Sequence, residues 1–114
     1  MPENDCLFCK VVAGEVPADV VHRGETVVAF RDINPQAPTH VLVVPRDHHP
    51  DVCALAAADP RSLAELAVAA KEIARAEGHV DFRLVFNTGA RAGQSVFHVH
   101  GHVLAGRDMS WPPG

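Results

Sequence analysis

Three histidines stand at alternate positions in Val96-Phe97-His98-Val99-His100-Gly101-His102-Val103-Leu104. No other feature constrains this chain as much. In a β-strand every second side chain points to the same face, so a strand through this segment lines up three imidazoles at intervals of roughly 6–7 Å, at about 3.3 Å per residue. A half-buried strand tolerates one inward histidine. Three in register are costly, because an unpaired neutral imidazole is expensive to bury and protonated neighbours repel. The row therefore points to chemistry: a nucleophile whose neighbours set its tautomer, or a metal chelate.

The chain has 114 residues, 47% of them hydrophobic, and a formal charge of −4 at pH 7. This length suits one domain that buries about two-thirds of its unfolded surface, and the apolar fraction excludes a disordered chain. The acidic balance argues against a protein built to coat nucleic acid, yet a few local donors suffice to hold one phosphate. No apolar run approaches the ~20 residues of a membrane span. The opening Met1-Pro2-Glu3-Asn4-Asp5 is polar and acidic, unlike a signal peptide. An odd count of three cysteines without an export signal leads to the expectation of a reducing cytoplasm.

Patterning divides the chain without repeats or linkers. Residues 6–13 read as a short helix ended by Gly14 and Pro17, and residues 19–22 as a short strand. Residues 26–32 alternate, with Val28, Phe30 and Asp32 on one face; residues 40–45 form a second apolar strand with His40, Leu42 and Val44 on one side. The clearest helix spans 60–77, with Leu63, Leu66, Ala67, Ala70, Ile73 and Ala74 in one stripe. Asp59 is its expected N-cap, Pro60 its first residue and Gly78 its stop. Residues 82–87 alternate again, and a Gly-bearing loop, 88–95, leads into the histidine strand. Short loops predict antiparallel pairing with the helices on one face of the sheet.

His100, central in the row, is the expected nucleophile, since neutral imidazole attacks through the nitrogen that its other hydrogen bond leaves free. His98 and His102 flank it, and His40 reaches the same region if its strand pairs nearby. The loop Asn87-Thr88-Gly89-Ala90-Arg91-Ala92-Gly93-Gln94-Ser95 offers backbone N–H groups to a phosphate, although it leads into a strand and is no P-loop; an ordinary hairpin loop is the alternative. Cys6-Leu7-Phe8-Cys9 is half of a zinc site, with His48, His49 and His98 as sources of the other ligands; the alternative is a pair of ordinary thiols. Asp32 ends a strand, where a carboxylate can accept from a ribose diol or simply serve a turn. Trp111 lies in the terminal Trp111-Pro112-Pro113-Gly114, as an interface anchor or a frayed tail.

Together these residues resemble the histidine-triad (HIT) family, and within it the Hint branch of purine nucleoside phosphoramidases. The family motif, His-φ-His-φ-His-φ-φ with φ apolar, is matched by His98-Val99-His100-Gly101-His102-Val103-Leu104. The stretches 30–45, 93–97 and 105–114 resemble the branch's ribose-side, phosphate-side and C-terminal segments. The resemblance implies an α+β fold over 1–114, with 105–114 as a C-terminal tail: an antiparallel five-stranded sheet with two helices per subunit, joined into a larger sheet across a homodimer. It implies His100 as nucleophile, supported by His98, His102 and His40. Asn87, Gly93, Gln94 and Ser95 would lie at the phosphate or leaving group, and Asp32 at the ribose. Phe8, Val11, Val16, Phe30 and Ile33 would wall the base.

The implied reaction is hydrolysis of a phosphorus–nitrogen or related bond of a purine nucleoside phosphoramidate or acyl-adenylate through a nucleotidyl-histidine. The implied partners are a purine nucleoside monophosphate and its phosphoramidates, and a second copy of the chain, with no nucleic acid and no membrane. No catalytic cofactor is expected. Related branches carry a structural zinc whose ligands resemble Cys6, Cys9, His48 and His98, with His49 as the alternative to His48. Other readings are a dinucleoside polyphosphate hydrolase or nucleotidyl transferase, against which the Trp-Pro-Pro-Gly end argues, a nucleotide-binding interaction protein, and a metal enzyme using all three histidines. Gly101 departs from the motif, and a glycine there is expected to weaken the strand and remove a core contact.

Overall fold

The alternating segments form one antiparallel sheet in the computed structural model, which describes residues 5–114. Residues 1–4, most of the polar opening segment discussed above, lie outside the described residues. The strands are β1 (Val20–Arg23), β2 (Val27–Arg31), β3 (Thr39–Pro45), β4 (Arg83–Val85) and β5 (Gly101–Ala105), in the spatial order β1-β2-β3-β5-β4. Each neighbouring pair is antiparallel, as the short connections predict.

Period-two alternation sorts the strand residues onto two faces. Val27, Ala29, Val41, Val43 and Val103 pack with Leu55 of helix α2 (Val52–Ala58) and with Leu66, Ala70, Ile73 and Ala74 of helix α3 (Pro60–Ala76). Val28, Phe30, Leu42 and Val44 face the other way, against Cys6 and against Phe8 and Val11 of helix α1 (Leu7–Val12). The expectation of helices on one face is therefore corrected: α1 covers the second face. The reason is visible in β3, whose residues are buried along its whole length; a strand apolar on both sides needs cover on both. Full burial of each large aliphatic side chain contributes about 1.5–3 kcal/mol.

The long helix follows its end signals. Asp59 caps it, accepting from the Ser62 N–H at 3.2 Å, and Pro60 opens it. At its end Gly78 has φ +90°, and two bonds, Gly78 N–H to Arg75 O (3.0 Å) and His79 N–H to Ala74 O (2.9 Å), satisfy the last carbonyls. Helix α2 is an addition to the two expected helices. It is seven residues of mostly alanine, too short to declare a period, and Asp51 caps it by accepting from Ala54 N–H at 2.8 Å.

Gly101 corrects a second expectation. A Cβ there would meet Leu84 Cδ1 at 2.9 Å and Phe86 Cζ at 3.0 Å. The glycine leaves no hole; Leu84 and Phe86, both packed against the α3-side core, occupy the space a side chain would take.

Candidate active site and metal-ligating cluster

The strand expected across 96–104 begins only at Gly101. β3 and β5 pair in register up to Val43 opposite Gly101. Two residues further, that register would set Val99 against Pro45, which has no N–H for the ladder. Val99 instead donates to His49 O at 2.7 Å, and His98 and His100 lie in irregular chain leading into the strand. The row nevertheless stays together. The His100 and His102 rings are 5.1 Å apart, and Phe8 sets its edge against both His98 (6.2 Å) and His100 (5.0 Å).

Hydrogen-bond partners assign each tautomer, because a neutral imidazole has one donor and one acceptor nitrogen. His100 Nδ1 lies 2.8 Å from the carbonyl oxygen of His98. A carbonyl only accepts, so Nδ1 carries the proton and Nε2 keeps its lone pair. The Gln36 N–H donates to His40 Nδ1 at 3.0 Å, which places the His40 proton on Nε2. That Nε2–H donates to His102 Nδ1 at 2.9 Å, so the His102 proton sits on its own Nε2. Asp32 Oδ2 stands 3.4 Å from His40 Nε2.

Burial lowers the proton affinity of all three rings. His40 is pushed down by desolvation, with Asp32 opposing. His100 is pushed down by desolvation, opposed by its bond to His98 and by Asp32. Desolvation, with smaller help from His100 and His40, takes His102 to about 4. The group is thus neutral at pH 7.

Asp32, His40 and His102 bring ligand-type atoms within 4.8 Å of one another, but the bonding opposes a metal there. A metal needs a lone pair on His40 Nε2, and the Gln36 N–H forces the proton onto that atom. Nor do the three triad rings converge as a chelate: His100 Nδ1 is tied to the main chain, and the His98 ring turns elsewhere.

His98 turns into a second group with Cys6, Cys9 and His48. Its Nε2–H donates to Pro45 O at 2.9 Å, leaving Nδ1 as a lone pair. That Nδ1 lies 3.4 Å from Cys6 Sγ, 3.4 Å from Cys9 Sγ and 3.2 Å from His48 Nδ1, and Cys9 Sγ is 3.5 Å from His48 Nδ1. A tetrahedral zinc with bonds of about 2.3 Å to sulfur and 2.0–2.1 Å to nitrogen spaces its ligands by about 3.3–3.8 Å. The donor set and its spacing fit that ion. Burial, aided by His48, His100 and His49 and opposed by the Pro45 bond, takes His98 to about 4, holding it in the neutral, ligating form. His48 offers the fourth ligand-type atom; His49, the alternative, contributes its carbonyl to Val99 instead. His98 thus supports His100 through its carbonyl, while its ring belongs to the cluster.

The loop expected to meet a phosphate is organised by Gln94. Its Oε1 accepts from Gly89 N–H at 2.9 Å, and its Nε2 donates to Pro50 O (2.6 Å) and Val96 O (3.1 Å). The side chain expected at the nucleotide is committed to holding the loop. Gly93 has φ +96°, and a Cβ on it would lie 3.8 Å from the Asn87 amide, so Asn87 and Gly93 stand together; Ser95 is exposed nearby in sequence. Of the expected base walls, Phe8, Val11, Val16 and Phe30 share one cluster, whereas Ile33 is fully exposed at 102%. Trp111 is 85% exposed. Sequence reasoning missed Gln36 and Pro45, which act through main-chain atoms that side-chain identity does not advertise.

Comparison with known proteins places this geometry in context. Residues 13–109 match the HIT domain family. The chain is 47% identical over 112 residues to a HIT-like protein of Synechocystis sp., covering 97% of this chain and 98% of that one. It is 44% identical over 118 residues to the 14 kDa zinc-binding protein of Zea mays, covering 100% and 91%. Among solved structures, a HIT family hydrolase from Legionella pneumophila Philadelphia 1 superimposes with a TM-score of 0.92 at 47% identity, covering 96% of this chain and 100% of that chain.

Proposed function

The chain belongs to the HIT domain family, and from that premise we propose that it is a Hint-type nucleotide hydrolase. It would cleave the phosphorus–nitrogen or related bond of a purine nucleoside phosphoramidate or acyl-adenylate, with His100 as nucleophile. The observation that carries this reading is the bond from His100 Nδ1–H to the His98 carbonyl, which presents Nε2 as a lone pair in a ring held neutral by burial. Structural neighbours named as hydrolases support the reaction class.

His100 Nε2 attacks the α-phosphorus, and the bond from phosphorus to nitrogen breaks. The leaving nitrogen must gain a proton. Neutral His102 has none to release cheaply, so the proton enters from solvent onto the His40–His102 pair once a phosphate anion is bound, since an adjacent negative charge raises imidazole proton affinity. Water then attacks phosphorus, His100 Nε2 leaves, and the proton from water returns to the pair. Backbone donors around Gly93 and Ser95, with Asn87, hold the phosphoryl oxygens. Asp32 would take the ribose, and Phe8, Val11, Val16 and Phe30 would wall the base; Ile33 would reach the base only from its exposed loop.

Cys6, Cys9, His48 and His98 would hold one structural zinc, supported by their spacing and by the name of the maize relative. The ion would tie the start of α1, through its N-cap Cys6 and through Cys9, to the chain after β3 and before β5. We further propose a homodimer formed along β4, an edge of the sheet, and a cytoplasmic setting, which suits thiols kept reduced for a metal; among the described residues no helix is long and apolar enough to cross a membrane.

The test is turnover. Adenosine phosphoramidate should be hydrolysed faster than a dinucleoside polyphosphate. The reverse order would assign the chain to the polyphosphate hydrolases, and tight binding of adenosine monophosphate without turnover of either would assign it to binding proteins.

A further inference from the structure

We infer that the backbone of Gln36, braced by Arg107 from the C-terminal segment, is a positioning element that fixes the tautomer of His40 and through it that of His102. The inference rests on the functional reading above only for its kinetic consequence. Gln36 is itself exposed, and its hydrogen bonds go to His40, Asn34 and Arg107 rather than to His100 or His102. Its N–H is nonetheless the donor to His40 Nδ1 at 3.0 Å, and its carbonyl accepts from Arg107 Nε at 2.8 Å. Residue 36 is thus gripped on one side by the histidine and on the other by a guanidinium carried just past β5. Within its own loop the other ties are Gln36 Nε2 to Asn34 O at 3.0 Å, Asn34 N–H to Asp32 Oδ1 at 2.8 Å and Asp32 N–H to His40 O at 3.0 Å.

The consequence follows from donor and acceptor counting. With Gln36 N–H in place, His40 Nδ1 must be a lone pair, so Nε2–H donates to His102 Nδ1 at 2.9 Å, and His102 keeps its proton on Nε2. Without that N–H, His40 is free to carry its proton on Nδ1. Its bare Nε2 then faces the lone pair of His102 Nδ1, and both sit near the Asp32 carboxylate, 3.4 Å from His40 Nε2. Relief requires His102 to move its proton to Nδ1, which removes the donor from its Nε2. One main-chain bond therefore sets the sense of a two-histidine relay, and the C-terminal segment bears on it through Arg107.

The experiment reads imidazole tautomers directly, by long-range proton–nitrogen correlation spectra of the full-length, zinc-loaded chain at pH 7.5. The parent should show His40 and His102 each protonated on Nε2. Gln36→Ala keeps the backbone N–H and should keep this pattern. Gln36→Pro removes the N–H and should give mixed tautomers at both rings, with kcat for adenosine phosphoramidate falling about five- to tenfold and KM changing less than about twofold, the scale of one net hydrogen bond. Arg107→Ala should give a smaller shift in the same direction, restored in part by Arg107→Lys; this variant decides the matter if the proline variant does not fold. An unchanged His40 tautomer in folded Gln36→Pro overturns the inference. So does a changed tautomer with unchanged kcat, which leaves the bond without a positioning role. A parent that shows the predicted tautomers but hydrolyses nothing would instead overturn the functional reading while the lock stands.

Discussion

His100 keeps a free lone pair on Nε2 because its Nδ1–H donates to a carbonyl two residues back in the chain, and His102 has its proton position set by a histidine 62 residues away. Substituting His100 by glycine should therefore remove more than about a thousandfold of the turnover, over 4 kcal/mol of barrier, while adenosine monophosphate binding, measured by calorimetry, changes by less than about fivefold. A variant within about tenfold of the parent would move the nucleophile elsewhere. The pH behaviour has a definite sign. His40 and His102 bind protons more weakly in the folded chain than the ordinary value of 6.5, His102 at about 4. The stability linked to them is whole above about 6.5 and is lost as pH falls toward 4. Urea midpoints should decline across that window, and His102→Gln should flatten the decline; an equal slope in both proteins would contradict it. The histidine row was legible because three like residues at period two have few innocent explanations. Gln36 was not legible, since any residue but proline supplies the same N–H.

At the scale of elements, the sequence pattern located the strands and the long helix, and tertiary context trimmed them. The histidine strand reaches back only to Gly101 because the register would set Val99, two residues before it, against Pro45. Helix α2 escaped notice because seven alanine-rich residues have no stripe. Gly101 looked like a weakness by strand propensity, yet Leu84 and Phe86 fill its space. Enlarging it should overpack: Gly101→Val is expected to destabilise by about 1–3 kcal/mol, read from urea unfolding, and Phe86→Ala in the same chain should recover part of the loss. If the valine variant is as stable as the parent, the glycine is not filled as described. The cysteine pair gave half a zinc site from spacing alone; choosing His48 over His49 needed the fold. Cys6→Ser with Cys9→Ser should lose bound zinc by elemental analysis and lower Tm, and a parent that takes up no zinc would reduce the pair to two thiols.

For the whole molecule, the family membership, the antiparallel sheet and the two covered faces agree with one another, and the sheet edge at β4 and the exposed Trp111 are what the proposed second copy would cover. Sedimentation at micromolar concentration should give a dimer; a monomer would leave Trp111 a solvent-exposed tail. Fold class and the grouping of the histidines were readable from side-chain pattern, whereas the hydrogen-bonding roles of those histidines were not, because they are set by carbonyls and amides brought together by folding. Those roles end in one claim, that His100 Nε2 forms a bond to phosphorus. Rapid quenching of the protein with adenosine phosphoramidate, followed by peptide mass spectrometry, tests it most directly. The account predicts an adenylyl group on the peptide bearing His100, absent from His100→Gly. Steady turnover with no adduct at the earliest quench times, or an adduct on another residue, would contradict it.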